Sequence, residues 1–195
     1  MIEVPSDARG SLPVILLVVL GTILCSNLAS ANEMTPLEKG IERYENRHGD
    51  AGETVADPGP VNQSIEYLRE ALDGSPPPEE ERKATAYLLK AYYYKGTYVP
   101  LSQERKESVF ATGKKLGQRM LEKYPESVPI RYGYVINLSR WGQVYGIVAA
   151  AREGVAGQIR SHSKKMIELN PGYRNAAPYR ILGLVHHKAP YIPFI

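Results

Sequence analysis

The chain has 195 residues, which is enough for one domain with a sizeable core. Its 24 lysines and arginines against 21 aspartates and glutamates give a net charge of only +3, and this mild excess argues against an avid nucleic-acid binder. Fourteen tyrosines stand against two phenylalanines, and because tyrosine joins an apolar ring to a polar hydroxyl, these residues suit either helix seams or a half-wet groove.

The first 31 residues have the pattern of a secretory signal peptide. Residues 11–25 are uncharged and largely apolar, and the small residues Ala29, Ser30 and Ala31 follow where a signal peptidase cuts. We predict cleavage after Ala31 and a periplasmic location. The alternative is an uncleaved anchor, which the short apolar run disfavours because a spanning helix needs about 20 residues.

Cys25 is the only cysteine and raises a second alternative, a lipid anchor. A lipoprotein signal places a small residue before the modified cysteine, whereas this chain has Leu24 there, so lipidation is disfavoured. Cleavage at Ala31 would leave a mature protein without cysteine, and therefore without a disulfide or a sulfur metal site. Membrane contact is expected only through the signal segment, or through a lipid on Cys25.

Residues 32–195 are predicted to form one helical-repeat domain whose last repeat is incomplete. The segment from Thr35 to Glu38 has the form of a capping box, and three glutamates at positions 79–81 suit a helix start. Gly96 is expected to end a helix, and residues 50–60 to form a loop. Seven helices and no strand are predicted, over about 36–48, 61–72, 79–95, 102–124, 130–151, 153–169 and 176–187.

A six-residue pattern returns 46 positions later along the chain: Met120–Pro125 is echoed by Met166–Pro171, each closing a basic helical stretch. Glycines inside the predicted helices are expected where helices approach closely. Because one repeat cannot bury its apolar face alone, repeats stack, and the usual product is a binding surface.

The segment Tyr179-Arg180-Ile181-Leu182-Gly183 resembles the first helix of a tetratricopeptide repeat. The closing prolines fall at 76, 125 and 171, farther apart than the usual thirty-four residues, so the helices are expected to be longer or to carry inserts. The predicted fold is all-α, a tetratricopeptide-like array of antiparallel helix pairs in the form of an α-solenoid or superhelix.

Four segments together resemble the T-component family of tripartite ATP-independent periplasmic (TRAP) transporters: residues 137–142, 166–173, 178–183 and 188–190. The resemblance implies a periplasmic, all-helical protein that works beside the substrate-binding component of an organic-acid uptake system. Members of the family continue beyond the Lys188-Ala189-Pro190 segment with a further helix. This chain stops at Ile195, so a C-terminally shortened member is expected.

Candidate residues for a partner or ligand groove are tyrosine, tryptophan and arginine, the types enriched at binding hot spots. Arg140 and Trp141 come first, because adjacent helix positions point about a hundred degrees apart and one can pack while the other faces a groove. The alternative for each candidate is an ordinary core or surface role. The other four candidates are Tyr93, Tyr134, Tyr145 and Arg180.

No catalytic residue, metal site or cofactor is predicted. His186 and His187 diverge on a helix without a third ligand, and Ser161-His162-Ser163 has no acid at a spacing that could orient the ring. The expected function is a periplasmic scaffold that binds a substrate-binding protein, with homo-oligomerisation left open. The alternative is a generic cell-envelope scaffold for protein–protein interaction.

Overall fold

The computed structural model describes residues 33–48 and 55–189, and every regular element in those ranges is a helix. The predicted signal peptide at 1–31 and the chain end at 190–195 lie outside the described residues. The eight helices of the described ranges are α1 Pro36–Glu45, α2 Pro58–Asp73, α3 Pro78–Tyr98, α4 Gln103–Lys123, α5 Val128–Tyr145, α6 Ile147–Arg152, α7 Val155–Leu169 and α8 Tyr173–Lys188.

Each helix packs against the next one along the chain, and α1, α3 and α5 also pack against one another in that order. Because alternate helices meet in this way, α1, α3 and α5 form one layer. Helix α2 packs against α1 and α3, and α4 packs against α3 and α5. The predicted all-α helical-repeat array is confirmed. Its finer description as tetratricopeptide-like stays a prediction.

Polar caps and prolines fix the starts of the early helices. The Thr35 hydroxyl accepts from the Glu38 amide, and the Glu38 carboxylate accepts in return from the Thr35 amide at 2.8 Å, which completes the predicted capping box. Asp57 caps α2 through the Gly59 amide, so this helix begins inside the segment predicted to be a loop. Ser102 caps α4 in the same manner.

Gly96 does not end its helix, which was the prediction, because α3 continues to Tyr98. A Cβ atom at position 96 would lie 2.5 Å from the Phe110 ring of α4. The glycine is therefore required by close packing between α3 and α4, and its small cost in helix propensity is offset by the burial of Phe110.

Gly146 interrupts the predicted helix over 130–151. Its φ of 110° is a conformation that residues with a side chain rarely adopt, so α5 ends at Tyr145 and the short α6 follows. Because of this break, the described ranges contain eight helices, whereas seven were predicted.

Two apolar clusters form the core of the described chain. One joins α1, α2 and α3 around Leu68 and Tyr92, and the other joins α3 to α8 around Phe110 and Leu138. A buried asparagine links two of these helices, since the Asn137 side-chain amide on α5 donates to the Leu89 carbonyl of α3 at 2.9 Å. That bond fixes the spacing of the two helices that form the walls of the candidate site.

Candidate functional site

A cavity of about 450 Å³ lies between α1, α3 and α5, and the start of α8 contributes to its wall. Its volume falls in the lower part of the ~300–1,000 Å³ range of small-molecule sites. Aromatic side chains form much of the wall, and the five tyrosines among them are Tyr44, Tyr93, Tyr94, Tyr98 and Tyr132.

Helical spacing explains how these residues reach one cavity. Lys90, Tyr94 and Tyr98 follow one another at intervals of four along α3, which places them on one stripe of the helix. Tyr132 and Ile136 have the same spacing on α5. The layer formed by α1, α3 and α5 therefore brings these stripes together.

Three cations line the cavity: Arg47 after α1, Lys90 on α3 and Arg174 at the start of α8. No aspartate or glutamate is among the described lining residues. The nearest ion pair joins Arg47 to the Glu45 carboxylate at 3.8 Å, a separation at the outer limit of such a contact. The cavity therefore has an excess of positive charge.

Lys90 is held against aromatic faces. Its Nζ lies 3.3 Å from the centroid of the Tyr87 ring and 5.2 Å from that of Tyr44. Burial and the positive charge of Arg174 lower the pKa of Lys90 to about 8. At neutral pH the ammonium is still mostly protonated, and its main contacts are cation–π interactions.

Arg174 reaches the cavity from an unusual backbone segment. Arg174, Asn175 and Ala176 have φ values of 47°, 55° and 58°, which is left-handed backbone in three consecutive residues that are not glycine. The Arg174 guanidinium lies 5.4 Å from the Tyr132 ring centroid. Arg180 donates to the carbonyl oxygen of Arg174 at 3.1 Å and to that of Asn175, and these two hydrogen bonds hold the segment in place.

The tyrosine hydroxyls add hydrogen-bonding groups to the wall of the cavity. Burial raises the pKa of Tyr44 to about 12. The Tyr94 hydroxyl donates to the Arg47 carbonyl oxygen at 3.2 Å and so fixes the turn after α1. The wall thus combines fixed cations with aromatic faces, an arrangement suited to binding an anion with an apolar body.

Two of the six predicted groove residues meet at the cavity wall. Tyr93 lines the cavity, and the Arg140 guanidinium lies 5.7 Å from its ring centroid and 3.5 Å from its hydroxyl oxygen. Arg140 also donates to the Gln143 side chain at 3.1 Å. The predicted pair of Arg140 and Trp141 separates here, because only the arginine points toward this face.

The other four candidates lie elsewhere. Trp141 is only 5% exposed and has the Lys114 ammonium 3.7 Å from its ring centroid, while Tyr145, which is 46% exposed, stacks on it at 4.6 Å. Tyr134 is 3% exposed and donates to Gln158 at 2.8 Å. These three residues pack in or beside the apolar cluster around Phe110 and Leu138. Arg180 supports Arg174 without lining the cavity.

Several lining residues were not among the predicted candidates, notably Tyr44, Arg47, Lys90, Tyr132 and Arg174. One signal in the sequence could have found Lys90, which stands in a tyrosine stripe with Tyr87, Tyr94 and Tyr98 at helical spacing. Arg174 had no such signal, because its position depends on the left-handed segment.

In the part of the chain that the structure describes, no three His, Cys, Asp or Glu side chains lie together as metal ligands, and no helix is both long and apolar enough to cross a membrane. The chain matches no protein-family model, and comparisons with curated proteins and with solved structures gave no match either. The resemblance to the transporter T-component family therefore stays a prediction.

Proposed function

We propose that the protein is a periplasmic helical-repeat scaffold that binds a partner protein, the substrate-binding component of a TRAP-type organic-acid transporter. The observation that carries the proposal is the face built by α1, α3 and α5, where tyrosines and arginines from alternate helices adjoin one cavity. The partner's identity rests on the sequence resemblance alone.

Equivalent helices of a repeat array commonly share a binding face, because stacking aligns the same side of each unit. Tyrosine and arginine are the residue types that contribute most binding energy at protein interfaces, since each combines a large contact area with directed hydrogen bonds. Tyr93 and Arg140 are both half-buried and in contact, so they are partly pre-ordered for a partner.

The test is affinity capture of the full-length, tagged chain from its native cells after mild cross-linking, with the captured proteins identified by mass spectrometry. We expect a solute-binding protein of the transporter class to be enriched. The double variant Tyr93→Ala/Arg140→Ala should lose that partner at least tenfold. The matched control is Arg152→Ala/Tyr179→Ala, which removes the same residue types from exposed positions on α6 and α8.

Equal capture by both double variants would place the interface on another face. Recovery of envelope-assembly proteins in place of a solute-binding protein would favour the generic envelope scaffold and overturn the transporter assignment.

A further inference from the structure

We propose that the cavity between α1, α3 and α5 binds a small organic anion that carries a flat ring. Arg47, Lys90 and Arg174 would hold the anionic group, and the ring would pack among the tyrosines. The proposal goes beyond the scaffold function and does not rest on it, because the cavity can hold a small molecule whether or not a protein partner covers this face.

The charge of the cavity is the first argument. Its cations have few acceptors among the described residues: Arg47 Nη1 donates to the Tyr44 carbonyl oxygen at 2.6 Å, but its Nε is buried without a hydrogen-bond partner. Lys90 and Arg174 make cation–π contacts and no ion pair within the described ranges. Arg47 and Lys90 are partly desolvated, whereas Arg174 is exposed. Desolvated donors that lack acceptors are costly, and an oxyanion would supply acceptors to Arg47 and Lys90 while pairing with the charge of Arg174.

The aromatic walls are the second argument. His48 and Tyr94 meet edge to face with centroids 5.6 Å apart, and Tyr94 and Tyr98 lie tilted at 5.0 Å. Rings arranged in this way present both faces and edges, and these are the surfaces on which another aromatic ring packs well. A cavity of about 450 Å³ limits the ligand to a small molecule.

The backbone at Arg174 is the third argument. Left-handed conformations at consecutive residues with side chains store free energy, and such strain tends to persist where it serves a site. Here it places the Arg174 guanidinium over Tyr132, in the cavity that Lys90 also lines. We assign Arg180 as a positioning residue, because its two hydrogen bonds hold the carbonyls of the strained segment.

A carboxylate and a phosphate offer the same acceptor oxygens to guanidinium and ammonium groups. Isothermal titration calorimetry of the full-length protein at pH 7 separates them with four probes: phenylacetate, phenyl phosphate, inorganic phosphate and the neutral phenylacetamide. We expect saturable binding of at least one ring-bearing anion, with phenylacetamide and inorganic phosphate at least tenfold weaker. The stronger of the two ring-bearing anions identifies the headgroup.

Site variants complete the test. Lys90→Gln and Arg174→Gln should each weaken the stronger anion at least tenfold, whereas Lys164→Gln, at an exposed position on α7, should bind as the wild type does. Thermal melts followed by circular dichroism establish that each variant is folded, and the two single variants serve as independent checks of each other.

Three outcomes would overturn the proposal: no saturable binding of either ring-bearing anion, equal binding of phenylacetamide, or unchanged affinity in both cavity variants. Inorganic phosphate binding as tightly as phenyl phosphate would contradict the role of the ring. Partner capture is measured separately, so failure here leaves the scaffold function standing, and failure of capture leaves this site standing.

Discussion

Two regions of the molecule place a positively charged side chain beside a second titratable group: the cavity, and the contact between α5 and α7. The two regions differ in the hydrogen-bond acceptors that they offer to the charge. At the α5–α7 contact, Arg131 Nη1 donates to His162 Nδ1, 2.6 Å away, and Nη2 donates to the Pro125 carbonyl oxygen. In the cavity, Lys90 faces tyrosine rings and Arg174. One cation has protein acceptors and the other mainly has aromatic faces.

We interpret Arg131 as a charge that stabilises the fold and Lys90 as a charge that serves the proposed anion site. Arg131 is buried, which lowers its pKa, and its Nε has no hydrogen-bond partner. Its two acceptors offset part of the cost of desolvation, so it contributes to holding α5 against α7. Lys90 is held in place without that compensation, and its lowered pKa reports the resulting cost. Lys90 is assigned to the proposed anion site because it lines the cavity together with Arg47 and Arg174.

The sharpest test compares the stability of Arg131→Met and Lys90→Met. The first change leaves the His162 nitrogen and the Pro125 carbonyl oxygen without their donors, so we expect a loss of about 2–4 kcal/mol in the free energy of unfolding. The second removes a partly desolvated charge, and after allowance for solvent screening it should stabilise the protein by about 1 kcal/mol. Urea denaturation at pH 7 measures both.

Lys165→Met is the control, since Lys165 makes only a surface contact with Glu168 at 3.2 Å and should change stability by less than about 0.5 kcal/mol. Equal losses in the Arg131 and Lys90 variants would remove the distinction between the two charges.

His162 gives the α5–α7 contact a dependence on pH. Burial and the adjacent Arg131 lower the pKa of His162 to about 4 in the folded protein, below the usual value near 6.5 of the unfolded chain. The unfolded state therefore binds the proton more readily, and stability is lost as pH falls from about 6.5 to 4. With screening of this half-exposed ring, we expect this residue to contribute about 1–2 kcal/mol of the loss.

His162→Asn should flatten this part of the pH profile, because the Asn oxygen can accept from Arg131 without taking up a proton. His187→Asn changes an exposed histidine on α8 and serves as the matched control, for which the wild-type slope is expected. Urea unfolding at several pH values measures the slope, and an identical slope in both variants would count against a neutral, half-buried His162.

Sequence patterns predicted the helices well because caps and apolar periodicity act locally. The capping box at Thr35 and the glycines that meet neighbouring helices are examples: a Cβ at Gly113 would lie 2.4 Å from the Asn137 side chain, as expected for close approach. Gly96 shows the limit. The same residue type ends helices and packs inside them, and only its neighbour Phe110 decides between the two roles.

The site was less accessible to sequence reasoning because it depends on three helices and on one irregular segment. Tyr93 and Arg140 were predicted and do meet, whereas Trp141 and Tyr134 were chosen by residue type and are buried in the core. Arg174 could not be found from periodicity, since a left-handed backbone leaves no periodic pattern.

Anion binding in the cavity should weaken as pH rises above 7, whereas the α5–α7 contact weakens as pH falls below about 6.5. As pH rises through the pKa of Lys90, which is about 8, one of three cations is neutralised, so the affinity for phenylacetate should fall about tenfold between pH 7 and 9.5. Calorimetric titrations across that range provide the measurement. The charged or titratable groups that act on Lys90 or share its cavity are Tyr44, Glu45, Arg47, His48, Tyr87, Tyr93, Tyr94, Tyr98, Tyr132 and Arg174.

Lys90→Arg keeps a positive charge throughout this range and should bind phenylacetate with little change between pH 7 and 9.5. Since phenylacetate itself stays ionised, a fall in affinity that persists in this variant would assign the effect to another group.

The smallest expected effect lies outside the cavity, at Arg180. Arg180→Ala removes the two hydrogen bonds that hold the left-handed segment, so Arg174 should spend less time over Tyr132, and affinity for the stronger ring-bearing anion should fall about three- to fivefold. If Arg180 acts only through Arg174, Arg180→Ala should weaken binding no further once Arg174→Gln is present, and calorimetry of the double variant measures that coupling.

Asn175→Gly should partly restore affinity in Arg180→Ala, because glycine adopts a positive φ without strain. Additive losses in the double variant would instead give Arg180 a direct contact with the ligand or a general role in the stability of α8.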